Sequence, residues 1–331
     1  MKITQDKIHP DLVPMPFYIR AFTFLLTRKW GFRLMNQVMK ATEGNLTKGL
    51  VNEKRTIKSN HGGPDIRLRI YRPENNSDTL PVLLYCHGGG YALGNPEQMG
   101  EVFKALIDKR PCVIVAPGYR RSLTDPYPAG FNDCYDTLLW IRDHADLINA
   151  DPGRLMVGGH SAGGGLTAAL TLKARDTQDV RISFQMPIYP MIDDRHQTES
   201  AQFDSPAWGT KSNHIGWDFY LKNLRAQKKE IPAYAAPARN KDYSAFPPTF
   251  TFVGGVDPFR DDTIAYVESL KQYNIPVKFK IFEGCYHGFE IAESGKKVSI
   301  AAMNFFYASY AEYYDTFISR IPNLNHMSAA Q

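Results

Sequence analysis

Leu155-Met156-Val157-Gly158-Gly159-His160-Ser161-Ala162-Gly163-Gly164 is the stretch from which the rest of the chain can be read. A short apolar run with strand character leads into G-x-S-x-G, and Leu166 to Ala174 carries helical spacing behind it. A serine hydroxyl is a weak nucleophile and must be presented to a base, which a tight strand-to-helix turn achieves. Glycines two residues either side remove Cβ atoms that would collide there. The following helix points its first amides at a developing oxyanion. Ser161 is therefore the candidate nucleophile and the Ala162 amide a candidate oxyanion donor. Taken alone the pattern is weak, arising by chance in roughly one chain in ten of this length. The plainer alternative is a glycine-rich turn with a solvated serine. His160 adjoins the serine, but neighbours on a sharp turn point in different directions. A packing or hydrogen-bonding role is expected for it rather than that of a base.

Upstream, His87-Gly88-Gly89-Gly90 follows the apolar strand Val82-Leu83-Leu84-Tyr85. Acyl transfer places negative charge on a carbonyl oxygen, and preorganised backbone N–H groups stabilise it. Glycines let that backbone approach a substrate closely. The amides of Gly88 and Gly89 join Ala162 as expected donors, with His87 structural. A phosphate-binding loop is the alternative. However, no Lys or Ser/Thr follows at P-loop spacing, and Leu93 stands where G-x-G-x-x-G needs its third glycine.

Downstream, a base and an acid should lie beyond the carboxyl ends of late strands, in the order Ser, acid, His. The strand Thr249 to Val253 runs through Gly254-Gly255-Val256 to Asp257. The strand Val277 to Phe282 runs through Glu283-Gly284-Cys285-Tyr286 to His287. The histidine would take the serine proton, and the acid would fix its tautomer and stabilise the imidazolium. Asp261 and Asp262 compete for the acid role, but they fall in a helix's first turn, where carboxylates commonly cap. His196, His214 and His326 are weaker candidates for the base.

Further outward, Glu53 to Ser59 and Ile66 to Tyr71 alternate about a turn-like Asn60-His61-Gly62-Gly63-Pro64, the signature of a β-hairpin. Apolar strands at Pro81 to Tyr85, Cys112 to Ala116, Leu155 to Val157, Ile182 to Ile188, Thr249 to Val253 and Val277 to Phe282 alternate with helical segments. The helices are expected near Glu101 to Asp108, Phe131 to Ile148, Leu166 to Ala174, Asp261 to Gln272 and Val298 to Ile318. This alternation predicts an α/β fold with a mostly parallel sheet covered on both faces. Ligands in such sheets bind beyond the carboxyl ends of the strands. Residues 1–50 read as helical, and about 193–235 read as a helical insertion rich in aromatics. Together these would cap a catalytic domain spanning 51–331.

Of the 331 residues, 43% are hydrophobic and 22% charged, with a formal charge of +5 spread over both signs. That predicts a globular protein with no nucleic-acid stripe. The N-terminus lacks a secretory pattern, and Ala21 to Leu26 is too short to span a bilayer. A soluble, cytoplasmic protein is expected. Cys86, Cys112, Cys134 and Cys285 show no C-x-x-C and no metal-ligand spacing, so reduced thiols and no metal are expected.

Taken together these motifs resemble the hormone-sensitive-lipase-like esterases, a bacterial branch of the α/β-hydrolases. The matching stretches are Tyr85-Cys86-His87-Gly88-Gly89-Gly90, Tyr119-Arg120 with Pro126-Tyr127-Pro128-Ala129, Gly159 to Gly164, Tyr189-Pro190-Met191, Ala235-Ala236-Pro237-Ala238-Arg239, Asp257-Pro258-Phe259-Arg260-Asp261 and His287-Gly288-Phe289. They run in family order from about residue 53 onward. The resemblance implies an eight-stranded sheet, a helical cap and Ser161, Asp257 and His287 as a triad. It also implies short- to medium-chain acyl esters as substrates, no cofactor and a possible homodimer. Two departures stand out: His160 where the family most often has Asp, and Arg121-Ser122-Leu123-Thr124-Asp125 after Tyr119-Arg120. Tyr91, Met191, Trp208 and Trp217 are the candidate substrate-pocket residues. Two other activities compete: an amidase or deacetylase with the same triad, and a non-catalytic small-molecule receptor.

Overall fold

The computed structural model describes residues 1–321. Eight strands form one sheet: β1 Leu50–Ile57, β2 Ile66–Pro73, β3 Leu80–Cys86, β4 Val113–Pro117, β5 Ala150–His160, β6 Phe184–Ile188, β7 Thr249–Gly254 and β8 Val277–Phe282. Their spatial order is β1-β2-β4-β3-β5-β6-β7-β8. β1 and β2 form the expected hairpin, with Ile57 opposite Ile66, and β2 pairs antiparallel with β4. Every pairing from β4 through β8 is parallel.

The helices are α1 Phe17–Leu26, α2 Lys29–Lys40, α3 Gly100–Lys109, α4 Ala129–His144, α5 Ala162–Thr177, α6 Thr210–Tyr220, α7 Lys222–Ala226, α8 Arg260–Gln272, α9 Phe289–Ala292 and α10 Lys297–Phe317. Strand alternation sorts the core into two faces. Val82, Leu84, Val113, Val115, Leu155 and Val157 pack with Leu138 of α4 and Leu166 of α5. Leu83, Tyr85, Ile114, Met156 and Phe184 pack with Phe103 of α3 and Phe306 of α10. Both faces are covered, so the central strands are apolar throughout rather than alternating.

Several boundaries differ from the sequence reading, among them those of β5, α4 and β6. β5 begins at Ala150, well before Leu155, because Pro152-Gly153 is carried as an irregularity opposite Pro81/Val82 rather than as a turn. The helix expected to reach Ile148 ends at His144 and tightens into a 3₁₀ turn, Ala145–Ile148. β6 starts at Phe184, not Ile182.

The segment 193–235 carries α6, α7 and a 3₁₀ turn, Ser200–Gln202. It meets the N-terminal helices directly. Phe32 of α2 packs edge-on to Trp208 and against Phe219, and the Ala207 amide donates to Thr23 Oγ1. Among the described residues no helix is long and apolar enough to cross a membrane. All four cysteines are buried and unpaired.

Candidate active site

Ser161 sits at the junction of β5 and α5 with φ 59° and ψ −120°. This left-handed backbone is strained for a residue with a side chain. The turn is pinned from beneath. The Ser161 amide donates to Ile188 O at the end of β6, and Ser161 O accepts from the amides of Gly165 and Met191. The flanking glycines are required by crowding. A Cβ on Gly159 would lie 2.5 Å from Cys86 O, and one on Gly163 only 2.0 Å from that same oxygen. The turn is thereby pressed against the end of β3, where the glycine loop begins.

Three residues from three separate strand ends meet there. His287 Nε2 lies 2.8 Å from Ser161 Oγ, and His287 Nδ1 lies 2.7 Å from Asp257 Oδ2. The Phe259 amide donates to Asp257 Oδ1, fixing the carboxylate. The His287 ring is held edge-on by Tyr189, at 4.7 Å between centroids, and by Phe259 at 5.0 Å. Asp257 is fully buried, while Ser161 and His287 keep a sliver of exposure toward a cavity. The rival carboxylates point elsewhere: Asp261 accepts from the Ser200 amide and Arg260, and Asp262 from Thr198 Oγ1. His196 and His214 pack against each other within 193–235, and His326 lies outside the described residues.

The glycine loop lies over the serine. A Cβ on Gly88 would stand 3.5 Å from Ser161 Cβ. The amides of Gly88 and Gly89 have no protein acceptor among the described residues, and Ala162 opens α5, where the first N–H groups are unpaired by construction. All three are therefore free to donate beside Ser161 Oγ. Tyr119 braces the loop: its hydroxyl donates to His87 O and its ring stacks on His87 at 4.1 Å. Burial pushes the His87 imidazole down to about 3, so it is a neutral packing element.

The serine opens into a cavity of about 330 Å³, lined mostly by apolar side chains: Ile19, Phe22 and Leu26 of α1, Met39 of α2, Trp208 and Ile291. A larger depression of about 620 Å³, around Arg175, Arg181 and Pro247, lies toward the opposite ends of the strands and has none of these groups. Of the four candidate pocket residues, only Trp208 lines the cavity. Tyr91 and Met191 sit behind Ser161: the Tyr91 hydroxyl donates to Met191 O, 2.6 Å away, while the Met191 amide holds Ser161 O. Trp217 is fully buried against Tyr91 and Tyr220. These three are buried in the packing around Ser161 and α6 rather than facing the cavity.

A family profile described as alpha/beta hydrolase fold matches residues 83–291. The chain belongs to the α/β-hydrolase family, in its hormone-sensitive-lipase-like branch. It is 32% identical over 240 residues to carboxylesterase NlhH of Mycobacterium tuberculosis, covering 72% of this chain and 75% of that protein. It is 32% identical over 231 residues to esterase LipI of the same organism, covering 69% and 71%. Among solved structures, Bacterial Heroin Esterase superposes with a TM-score of 0.83 at 29% identity, over 93% of this chain and 98% of the other.

Behind Ser161, His287 and Asp257 this α/β-hydrolase carries a buried polar group that sequence reasoning missed. Glu290, one turn after His287, is fully buried, and the Tyr189 hydroxyl donates to its Oε1. Burial pushes its carboxyl up to about 7. The signal available in the sequence was a carboxylate three residues after the histidine, in the first turn of the helix that follows it. His160 belongs to this layer too. Its Nδ1 is bonded to the Tyr85 hydroxyl, and its ring packs against Tyr189 and Phe306. Burial, and then the His287 charge, hold His160 down to about 3. It is neutral and has no bond to Ser161, in keeping with a packing role.

Proposed function

We propose that this chain is a serine carboxylesterase that hydrolyses short- to medium-chain acyl esters through an acyl-enzyme. The observation that carries the reading is the Ser161–His287–Asp257 chain of hydrogen bonds on the floor of an apolar cavity. The named carboxylesterase and esterase relatives support its assignment as a carboxylic ester hydrolase.

In the proposed mechanism His287 Nε2 takes the Ser161 proton as Oγ attacks the ester carbonyl carbon. Asp257 holds the His287 Nδ1 proton and stabilises the imidazolium. The carbonyl oxygen becomes an oxyanion, which the amides of Gly88, Gly89 and Ala162 stabilise. Collapse breaks the ester C–O bond, and His287 gives its proton to the departing alcohol. Water then repeats the sequence on the acyl-Ser161 ester: His287 takes a water proton, the carboxylic acid leaves, and Ser161 regains its hydrogen. At about 330 Å³ the cavity sits at the small end of the ~300–1,000 Å³ typical of small-molecule sites, which supports short acyl groups. Residues 1–50 and 193–235 act as the cap in this reading.

The test is hydrolysis of p-nitrophenyl esters from acetyl to palmitoyl by wild type and Ser161→Ala. A short-chain optimum lost in the variant supports the proposal. Equal rates for the two proteins would overturn it.

A further inference from the structure

Helix α1, Phe17-Tyr18-Ile19-Arg20-Ala21-Phe22-Thr23-Phe24-Leu25-Leu26, carries a single charge, Arg20, in ten residues and is otherwise largely apolar. A helix with that composition is ordinarily enclosed by protein. Here only one side is: Ile19, Phe22 and Leu26 face the cavity, while Phe17 is 83% and Phe24 54% exposed. The neighbouring α2 repeats the arrangement. Met39 faces the cavity, while Trp30, Leu34 and Val38, spaced four apart on one stripe, are 51%, 47% and 54% exposed. Ile291 of α9, another cavity-lining residue, is 45% exposed. The Tyr18 hydroxyl bonds Ala292 O, so α1 and α9 form one rim.

The charge on this rim has one sign. Between Leu12 and Thr42 there are five basic residues, Arg20, Arg28, Lys29, Arg33 and Lys40, and no acidic one. Arg20, Arg33, Lys40 and the nearby Lys297 are exposed and have no acidic partner among the described residues. Arg28 covers the Phe24 ring at 3.7 Å. The acidic groups bordering the rim are engaged: Asp218 with Lys29 and Arg225, Glu43 with Arg67 and Arg121, and Glu293 with Lys296 and Tyr286.

We propose that the exposed face of α1 and α2 docks on an anionic lipid surface. Exposed aromatic and aliphatic side chains flanked by unpaired Lys and Arg are what a helix lying in a bilayer interface presents. Clustered basic side chains add attraction to anionic headgroups. A second copy of this chain would bring the same unpaired positive charges together and is disfavoured on that ground. Docking sets the cavity mouth, between α1, α2 and Ile291, against the membrane. On the esterase reading proposed above, esters dissolved in the bilayer then reach Ser161 without crossing water.

The test is cosedimentation of the full chain with vesicles of phosphatidylcholine alone and of phosphatidylcholine mixed with phosphatidylglycerol. The comparison protein is the double variant Trp30→Glu/Leu34→Glu, neither residue being part of the site. Wild type should bind the mixed vesicles about tenfold more tightly than the neutral ones. Binding should weaken at high salt, and the variant should lose about tenfold. Hydrolysis of soluble p-nitrophenyl acetate should stay within about twofold in the variant, which also reports its folding. Equal binding by the two proteins, or no binding by wild type, overturns the proposal. So does a wild-type dimer that the variant converts to monomer without any vesicle binding, which would assign the face to self-association. Vesicle binding by a wild type that hydrolyses no soluble ester keeps the docking surface and removes the esterase reading.

Discussion

His287 Nε2 lies 2.8 Å from Ser161 Oγ although 126 residues separate the two. The contact exists because β5 and β8 end at the same edge of one parallel sheet, which delivers the turn after each to the same place. The proposed chemistry depends on this contact and on the Asp257 bond behind it. Ser161→Ala should lower kcat for p-nitrophenyl acetate on the order of 10⁴-fold or more, and Asp257→Asn on the order of 10⁴-fold by favouring the wrong imidazole tautomer.

Crowding at the Ser161 turn makes a sharp contrast between glycines. Gly163→Ala puts a methyl 2.0 Å from Cys86 O, a backbone atom that cannot swing aside. It should cost about 2–3 kcal/mol of stability and most of the activity, read by urea denaturation and ester turnover. Gly295→Ala meets nothing within 4 Å and should leave both unchanged.

The buried His160 sets an acid-side liability. Its imidazole is held down to about 3 when folded, against 6.5 for the free group. The unfolded chain therefore takes up this proton first, and stability from His160 is present above 6.5 and lost as pH falls toward 3. The stability difference between wild type and His160→Asn should shrink by about 2 kcal/mol from pH 7.5 to pH 5. A difference that does not change with pH would mean that His160 is not buried neutral.

Glu290 should show the opposite slope. Its carboxyl is raised from 4.5 to about 7, so its contribution is fully present below 4.5 and is lost as pH rises through 7. Relative to wild type, Glu290→Gln should gain about 2 kcal/mol between pH 5 and pH 8. Chemical denaturation at the two pH values measures it, and a constant difference would place the Glu290 carboxylate in contact with water or a cation.

Two tryptophans of the segment 193–235 should separate specificity from stability. Trp208→Ala enlarges the cavity and should move the acyl-chain optimum toward longer p-nitrophenyl esters. Trp217→Ala removes a fully buried side chain and should cost about 3–5 kcal/mol with little change in chain-length preference. A reversed pattern would exchange the two roles.

The sequence by itself determined the sheet class and the positions around which the site is built. Gly159, Ser161, Gly163 and the glycine loop at 88–90 were legible because a tight turn and a close backbone approach admit few residue types, so the local steric demand is written into composition. The strand before Asp257 was legible as a run buried along its whole length, and the strand before His287 as an edge strand alternating apolar side chains with Lys278 and Lys280. Only the tertiary structure decided which carboxylate meets His287, since Asp257, Asp261 and Asp262 lie within six positions and differ in direction, not chemistry. It also decided that Trp208 faces the cavity while Tyr91, Met191 and Trp217 turn inward, and that α1 supplies the cavity wall. Spacing along one segment states which residues share a side. Which neighbour covers that side is settled by packing between segments far apart in the chain, and a helix as rich in apolar residues as α1 offers more than one side that could be covered.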